Sequence, residues 1–339
     1  MPKSTDTDNL PMLPNLDSRV PNWQPFPIPK RSCPFCNHEA PPLFVRPDKL
    51  PIAQCPACKC FFVALKLSEE ALSKLYDSYW DVTCPRSLTD EMARYLLYTA
   101  DVRYAKDYYM NKLTSLLGSW ESMKVLDVGC GFGEKSSIMN RLGASVTGID
   151  ISSTAVSFCN DKLYIDTKCT TIDRYDICND YFDLIVMFEF VEHPLDPLNA
   201  LKIAVDKTKT GGFVAIATPN GTAGERWLPN TAREWIGFRV DLEHMQYLHV
   251  DTVEYLAKLL NCRIVYLEQM GIRPLDDIAA PQKKPSGAIS TTLRRMIKSI
   301  PGMRNAIYNF RQSMDTITSL RRKPVSNGDY HLFAVLQKK

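Results

Sequence analysis

Three glycines at alternate positions, Gly129, Gly131 and Gly133, follow a short apolar run that predicts a buried strand over residues 124–128. A helical pattern begins directly after them at Glu134. A glycine-rich turn between a strand and a helix lets a ligand approach the backbone more closely than any Cβ atom would permit. The turn therefore predicts a nucleoside-binding site.

Two carboxylates flank this turn. Asp127 precedes the first glycine, and Asp150 ends a second predicted strand over residues 145–150. An acid at the end of the neighbouring strand can accept hydrogen bonds from both hydroxyls of a ribose. An acid two residues before the first glycine would repel a pyrophosphate but would attract a cationic amino-acid group. The pattern favours a nucleoside with an amino-acid end over a dinucleotide.

The run Val125-Leu126-Asp127-Val128-Gly129-Cys130-Gly131-Phe132-Gly133, with Asp150 in register after it, resembles motif I of the class I S-adenosylmethionine-dependent methyltransferases. The resemblance implies S-adenosylmethionine as the cofactor. It also implies an α/β fold with a seven-stranded Rossmann-like sheet, in which the last strand lies antiparallel between the fifth and the sixth. An ordinary glycine turn in an α/β protein is the alternative, and the complete motif disfavours it.

The same resemblance implies which residues contact the cofactor, because ligands of open α/β sheets lie at the carboxyl ends of the strands. The predicted cofactor residues are Asp127, Gly129, Cys130, Gly131, Gly133, Asp150, Ile151, Ile172, Asp173, Phe188 and Glu189. Asp176 competes with Asp173 for the adenine edge, and either acid can instead be a solvated loop residue.

Two histidines are candidates for a general base. His193 follows Glu192 after an apolar strand pattern, and His244 follows Glu243 in an aromatic, polar segment that suits a sugar-like acceptor. Imidazole with a near-neutral pKa can take the proton that a hydroxyl acceptor loses. In the alternative, these residues only maintain the conformation of their loops. Methyl transfer then needs no general base, because a sulfonium is already a strong electrophile and positioning and desolvation of the acceptor suffice.

Two Cys-x-x-Cys pairs, Cys33 with Cys36 and Cys55 with Cys58, are separated by eighteen residues. Two such knuckles can complete a tetrahedral zinc site, which would be closed and therefore structural. Cys60 lies beside them as a possible substitute ligand, as does His38, and four unconnected thiols are the alternative. The short apolar runs at 43–45 and 60–63 predict strands of a zinc ribbon.

This ribbon is followed by a predicted helix over residues 68–76 and by Tyr79-Trp80. The arrangement resembles the front part of bacterial methyltransferases of surface-polysaccharide and sugar-modification pathways. It implies O-methylation of a saccharide or another small polar acceptor. A zinc-containing RNA-modifying methyltransferase and a nucleotide-sugar C-methyltransferase are the alternatives. A nucleic-acid partner is disfavoured, because the ribbon aromatics are few and typical of a core.

The chain divides into a proline-rich flexible arm (1–30), a zinc ribbon (31–66), a helical lid segment (67–120) and a methyltransferase domain (121–339). For the tyrosines of the lid segment, core packing is favoured over direct contact with the ligand. Alternating patterns predict further strands over 168–172, 182–188, 213–218, 263–267 and 331–336.

Composition and charge complete the prediction. Eleven cysteines without a secretory signal indicate a reducing compartment, and hence a cytoplasmic protein. Residues 283–323 carry ten Lys and Arg residues against one Asp, in two predicted amphipathic helices before the last strand. Such an insertion can bind a membrane surface peripherally, in which case the acceptor could be lipid-linked. Alternatively, the two helices pack on the body of the protein and expose their basic faces to solvent. The second interpretation is favoured.

Overall fold

The computed structural model describes residues 30–46, 50–67, 88–225, 236–239, 243–270 and 330–339. In these ranges the strands are β1 (Pro42–Val45), β2 (Pro51–Gln54), β3 (Phe61–Val63), β4 (Lys124–Val128), β5 (Ser145–Asp150), β6 (Asp166–Cys169), β7 (Phe182–Phe188), β8 (Thr208–Pro219), β9 (Gln246–Tyr247), β10 (Cys262–Met270) and β11 (His331–Lys338). The helices are α1 (Asp90–Tyr98), α2 (Ala100–Lys106), α3 (Tyr108–Leu117), α4 (Glu134–Arg141), α5 (Ser153–Phe158, continued by a π-helical turn over Cys159–Leu163), α6 (Pro197–Lys207), α7 (Gly221–Glu225), α8 (Ile236–Arg239) and α9 (Val250–Leu259).

A seven-stranded sheet with the order β10-β11-β8-β7-β4-β5-β6 forms the centre of the molecule. The strands from β4 to β8 pair in parallel, and β11 pairs antiparallel with both β8 and β10. The predicted seven-stranded sheet, with its last strand antiparallel between the fifth and the sixth, is confirmed. The carboxyl ends of the parallel strands therefore meet at one edge, together with the amino end of β11.

Helices cover both faces of this sheet, so the central strands are mostly apolar. Within β7, Phe182 and the run from Leu184 to Phe188 are buried, as a strand covered on both faces requires. The predicted lid segment forms three helices, α1 to α3, in its described part. Leu96, Met110 and Leu113 of these helices pack in the same core as Val125 of β4.

Several predicted strand boundaries were wrong: β10 and β11 extend beyond their predicted ends, to Met270 and Lys338, and two further differences have a visible cause. The third strand of the central sheet, β6, ends at Cys169 and not at residue 172. The Asn160 side chain accepts from Thr167 N at 2.9 Å and donates to Thr167 O at 2.9 Å, which anchors the strand earlier in the chain. The predicted start of β8 was also wrong, because this strand begins at Thr208 and not at residue 213. Phe182 of β7 pairs with Thr208, and a register shift separates this pair from the rest of the ladder.

A second sheet has the order β1-β2-β3-β9. Its first three strands belong to residues 30–67, here called the cysteine module. Its fourth strand, β9, comes from much later in the chain, and pairs Phe61 with Tyr247 and Phe62 with Gln246. The cysteine module is thus joined to the large domain by a continuous sheet.

Several predictions lie outside the described residues. These are the flexible arm up to residue 29, the helix over 68–76 with Tyr79-Trp80, and the basic insertion over 283–323. Among the helices that the structure describes, none combines the length and the apolar character needed to cross a bilayer.

Candidate active site

The glycine turn lies at the carboxyl end of β4. All three of its glycines have positive φ, with values of 74° at Gly129, 51° at Gly131 and 76° at Gly133. A Cβ atom on Gly129 would lie 2.8 Å from Cδ2 of Phe190, so the turn has no room for a side chain there. Gly129 N and Cys130 N both donate to Ile149 O, at 2.8 and 3.1 Å, which fixes the turn against β5.

Asp150 lies directly beside this turn. Its Oδ2 accepts from Gly131 N at 2.9 Å, and its Oδ1 accepts from Ser152 N at 2.9 Å. Burial raises the pKa of Asp150, although these backbone donors oppose the rise. Each carboxylate oxygen keeps a second lone pair, so this carboxylate can still accept from a diol.

Asp127 is 3% exposed at the end of β4, and its Oδ2 accepts from Ser136 Oγ at 2.5 Å. Burial raises the pKa of Asp127 to about 6, and the Ser136 hydrogen bond only partly offsets that effect. A buried carboxylate with a raised pKa is a costly group for the folded state to maintain, and such groups concentrate at functional sites.

The other predicted cofactor residues lie along the same edge of the sheet. Ile151 is exposed after β5, Ile172 is buried after β6, and Asp173 is exposed in the following turn. Phe188 is the last residue of β7, and Glu189 follows it in a turn. The thiol of Cys130 approaches Gly148, on which a Cβ atom would lie 2.8 Å from Cys130 Sγ. Their contacts with a cofactor stay predictions.

Glu192, His193 and His244 meet beyond the end of β7. One potential ligand atom from each residue lies within 4.8 Å of the others, and the ring centroids of the two histidines are 4.8 Å apart. The two predicted bases therefore belong to one cluster. Such a cluster can share a proton, and its carboxylate and imidazoles could also hold a divalent cation.

Two atoms of this cluster are buried without a hydrogen-bond partner among the described residues, Glu192 Oε1 and His244 Nδ1. The second oxygen of Glu192 accepts from Thr218 Oγ1 at 2.9 Å. Burial raises the pKa of Glu192 well above its ordinary value. Burial lowers the pKa of His193, and it lowers that of His244 well below 6.5. Both imidazoles are therefore held neutral, which is the form that accepts a proton.

His331 is a residue that the sequence reasoning missed. Its Nε2 lies 3.3 Å from Oε1 of Glu189, and its Nδ1 is buried without a hydrogen-bond partner in the described ranges. Because β11 runs antiparallel to its neighbours, its first residue reaches the edge where the parallel strands end. The predicted antiparallel strand was the signal that could have identified His331.

Tyr109 of α3 closes this side of the site. Its ring packs against Phe188 at 5.3 Å, Phe333 at 4.9 Å and His331 at 6.4 Å between centroids. Burial raises the pKa of Tyr109, and its hydroxyl has no hydrogen-bond partner within the described part of the chain. Tyr109 is therefore a core-packing residue, as favoured for the tyrosines of this segment, and it also lies beside the site residues Phe188 and His331.

The four predicted metal ligands also converge. Their Sγ atoms are 3.5 Å apart for Cys33 and Cys58, 3.2 Å for Cys36 and Cys55, and 3.7 Å for Cys36 and Cys58. Tetrahedral zinc with bonds of about 2.3 Å to sulfur separates its ligands by about 3.8 Å, so the donor set fits that metal. Cys60 Sγ instead donates to Phe61 O at 3.1 Å, outside the four-cysteine group.

The central sheet, the glycine turn and its flanking carboxylates define an α/β protein with a nucleoside site of the methyltransferase type. Residues 102–267 match the family model described as "Methyltransferase domain". The ubiquinone biosynthesis O-methyltransferase of Rhodopseudomonas palustris (strain HaA2) is 30% identical over 194 residues, which cover 52% of this chain and 76% of that protein. The chain belongs to the S-adenosylmethionine-dependent methyltransferase family.

A second relative with the same name, from Parvibaculum lavamentivorans, is 32% identical over 136 residues, which cover 35% of this chain and 54% of that protein. The chain spans between 54% and 66% of the length of three relatives of that name. A solved S-adenosylmethionine-dependent methyltransferase from Archaeoglobus fulgidus superposes with a TM-score of 0.43 at 20% identity, over 72% of this chain and 99% of that one.

Proposed function

We propose that the chain methylates a hydroxyl oxygen of a small polar acceptor, with S-adenosylmethionine as the methyl donor. The observation that carries the proposal is the cluster of Glu192, His193 and His244. Glu192 and His193 follow β7, the neighbour of the strand that carries the glycine turn, and His244 comes from the segment before β9. A cluster of neutral imidazoles with a buried carboxylate is suited to an acceptor that loses a proton. The O-methyltransferase names of the relatives support oxygen as the accepting atom.

The residues around the turn fit the methyl donor. The Asp150 carboxylate would accept from the ribose hydroxyls, and the buried Asp127 carboxylate would attract the ammonium of the amino-acid end. The positive φ of Gly129, Gly131 and Gly133 gives a turn that residues with a Cβ atom rarely adopt, and its backbone would lie against the ligand. When bound, S-adenosylmethionine supplies a methyl group on a sulfonium, which is already electrophilic.

Within the cluster, His244 has the clearest role as the proton acceptor. Its Nδ1 has no partner among the described residues, and burial keeps the ring neutral at pH 7. His193 lies against it and would stabilise the charge or take the proton in its place. If the cluster instead holds a divalent cation, that ion would lower the pKa of the acceptor hydroxyl.

For the acceptor, we favour a saccharide, because the segment that leads to His244 combines aromatic and hydrogen-bonding residues. The names of the relatives, which refer to ubiquinone biosynthesis, keep small aromatic hydroxyl compounds as the second class. A lipid-linked acceptor, peripheral membrane contact through 283–323 and a cytoplasmic location remain proposals from the sequence. We also propose that the four cysteines hold one structural zinc ion.

The proposal is tested by incubating the full chain with methyl-labelled S-adenosylmethionine and separate pools of sugars, nucleotide-sugars, phenols and RNA. Label in a hydroxyl compound, as an ether resistant to mild base, is expected. The double variant H193Q/H244Q should bind S-adenosylhomocysteine normally and transfer label at least about 100-fold more slowly. Label on sugar carbon or on RNA would contradict the proposal, as would unimpaired transfer by the double variant.

A further inference from the structure

The residues from His244 to Tyr247, here called the acceptor segment, are held between two parts of the molecule. On one side, Met245 N donates to Glu192 O at 2.7 Å, and Gln246 Nε2 donates to Val191 O at 2.7 Å. These bonds attach the acceptor segment to the loop that carries Glu192 and His193. They place His244 near His193. The opposite side of the acceptor segment makes its hydrogen bonds with a different part of the chain.

The cysteine module holds that other side. Val63 N of β3 donates to Met245 O at 2.8 Å, beside the β3–β9 pairing. Arg31 Nη1 donates to the same carbonyl at 3.2 Å, and Arg31 Nη2 donates to Gln246 Oε1 at 2.9 Å. The acceptor segment is thus clamped between the cysteine module and the Glu192 loop.

Arg46 makes the most specific of these contacts. Its side chain is 1% exposed, and Nη1 donates to His244 O at 2.6 Å and to Tyr247 Oη at 2.8 Å. One guanidinium nitrogen therefore fixes both ends of the acceptor segment. The ring of Tyr247 in turn lies 6.0 Å from that of His244. Because Arg is planar and donates in fixed directions, this contact orients the segment as well as attaching it.

The four-cysteine site connects to this clamp through β3. The second knuckle, Cys55 to Cys58, is the turn between β2 and β3, and Cys55 N donates to Cys60 O at 2.8 Å just before β3 begins. Thr252 Oγ1 of α9 donates to Cys58 O at 2.7 Å. A metal bound to the cysteines would therefore hold the strand on which β9 pairs.

We infer that the cysteine module is a working part of the acceptor site, in which Arg46 is a positioning residue that holds His244 opposite His193. The role of the two histidines in this inference rests on the proposed function. The mechanical coupling between the cysteine module and the acceptor segment is independent of the proposed function. This coupling can be measured without an acceptor.

The test compares R46M and R46K with K207M in the full, metal-loaded chain. Lys207 is a second buried cation that donates to a backbone carbonyl, Ile177 O at 2.9 Å, but it lies at the opposite edge of the sheet. Three measurements are made: amide hydrogen exchange, calorimetry with S-adenosylhomocysteine, and the side-chain nitrogen signals of the five histidines, assigned with His→Gln variants.

In R46M we expect the amides of Met245 and Gln246 to exchange at least about 10-fold faster, and the His244 and His193 signals to shift. The affinity for S-adenosylhomocysteine should stay within about 2-fold, because the glycine turn is not touched. R46K retains the positive charge and a single donor nitrogen but loses the planar guanidinium, and it should give intermediate exchange. K207M should leave both the acceptor segment and the histidine signals unchanged.

Chelation of the metal from the unmodified chain should reproduce the exchange pattern of R46M. If R46M does not fold, R46K and the chelation experiment decide the question. Unchanged exchange at Met245 and Gln246 in R46M or R46K, or in the metal-free chain, would overturn the inference. Loss of methyl transfer in H193Q/H244Q with no coupling in these measurements would leave the proposed function standing and reject this inference alone.

Discussion

Asp127 provides a prediction in which stability and ligand binding change in opposite directions. Burial raises its pKa from 3.8 to about 6, so ionisation at neutral pH costs the folded state about 3 kcal/mol at about 1.36 kcal/mol per pKa unit. The variant D127N removes the charge, and its amide oxygen can still accept from Ser136 Oγ. The new NH₂ group is a buried donor where the carboxylate had only acceptors, and leaving this donor unsatisfied costs about 1 kcal/mol or more of folding free energy. We expect D127N without ligand to be more stable by about 1–2 kcal/mol at pH 7.5.

The pH dependence identifies the cause. Since the folded pKa of Asp127 lies above the unfolded value, the contribution of Asp127 to the stability of the unmodified chain becomes more favourable as the pH falls from about 6 towards 3.8. The advantage of D127N should be complete above pH 7, smaller at pH 6 and absent near pH 4. Urea unfolding at pH 7.5, 6.0 and 5.0 measures it. In the same experiment, affinity for S-adenosylhomocysteine at pH 7.5 should fall at least about 10-fold, because a charge-assisted hydrogen bond is lost.

D183N is the matched control. Burial would raise the pKa of Asp183, but Lys209 and Lys124 outweigh it and lower the pKa below its ordinary value. Asp183 Oδ1 lies 2.6 Å from Lys209 Nζ, at the sheet edge remote from the glycine turn. D183N should therefore lose stability at pH 7.5 and bind the ligand normally. If D127N is less stable than the unmodified chain at pH 7.5, or if its advantage does not change with pH, the reasoning about the buried charge is wrong.

Three further predictions concern the turn, the metal and the histidines. G129A should weaken binding of S-adenosylhomocysteine at least about 10-fold, because the added Cβ would collide with Phe190 and distort the turn. G118A also has a positive φ, +82°, but no atom of the described residues lies within 4 Å of its added Cβ, so it should lose stability without losing affinity. Equal affinities in the two variants would contradict this. Metal analysis should find about one zinc per chain, lost in C55S/C58S and retained when the exposed Cys178 is changed to Ser; retention of zinc in the double variant would reject the four-cysteine site. Because burial lowers the folded pKa of His244 below 6.5, the contribution of His244 to stability should be lost as the pH falls below about 6.5, so the stability of the unmodified chain relative to H244Q should decrease there; parallel curves in urea unfolding would show that His244 is not held neutral.

Features that depend on neighbouring residues could be predicted from the sequence. The strand, glycine turn and helix around Gly129 are encoded within a few positions, because apolar runs, missing Cβ atoms and helical periodicity act locally. The same holds for the two cysteine knuckles, whose spacing within each pair determines the tight turn. The order of the seven strands followed from the family resemblance, and the structure agrees with it.

The tertiary structure alone decided which distant residues meet. His193 and His244 looked like separate candidates, yet the clamp on the acceptor segment brings their rings to 4.8 Å. His331 reaches Glu189 only because β11 runs antiparallel, and Arg46 reaches His244 only because β9 joins the sheet of the cysteine module. Local patterns specify which face of an element is apolar, but the partner of that face depends on sheet order and register, which are determined by packing across the whole chain.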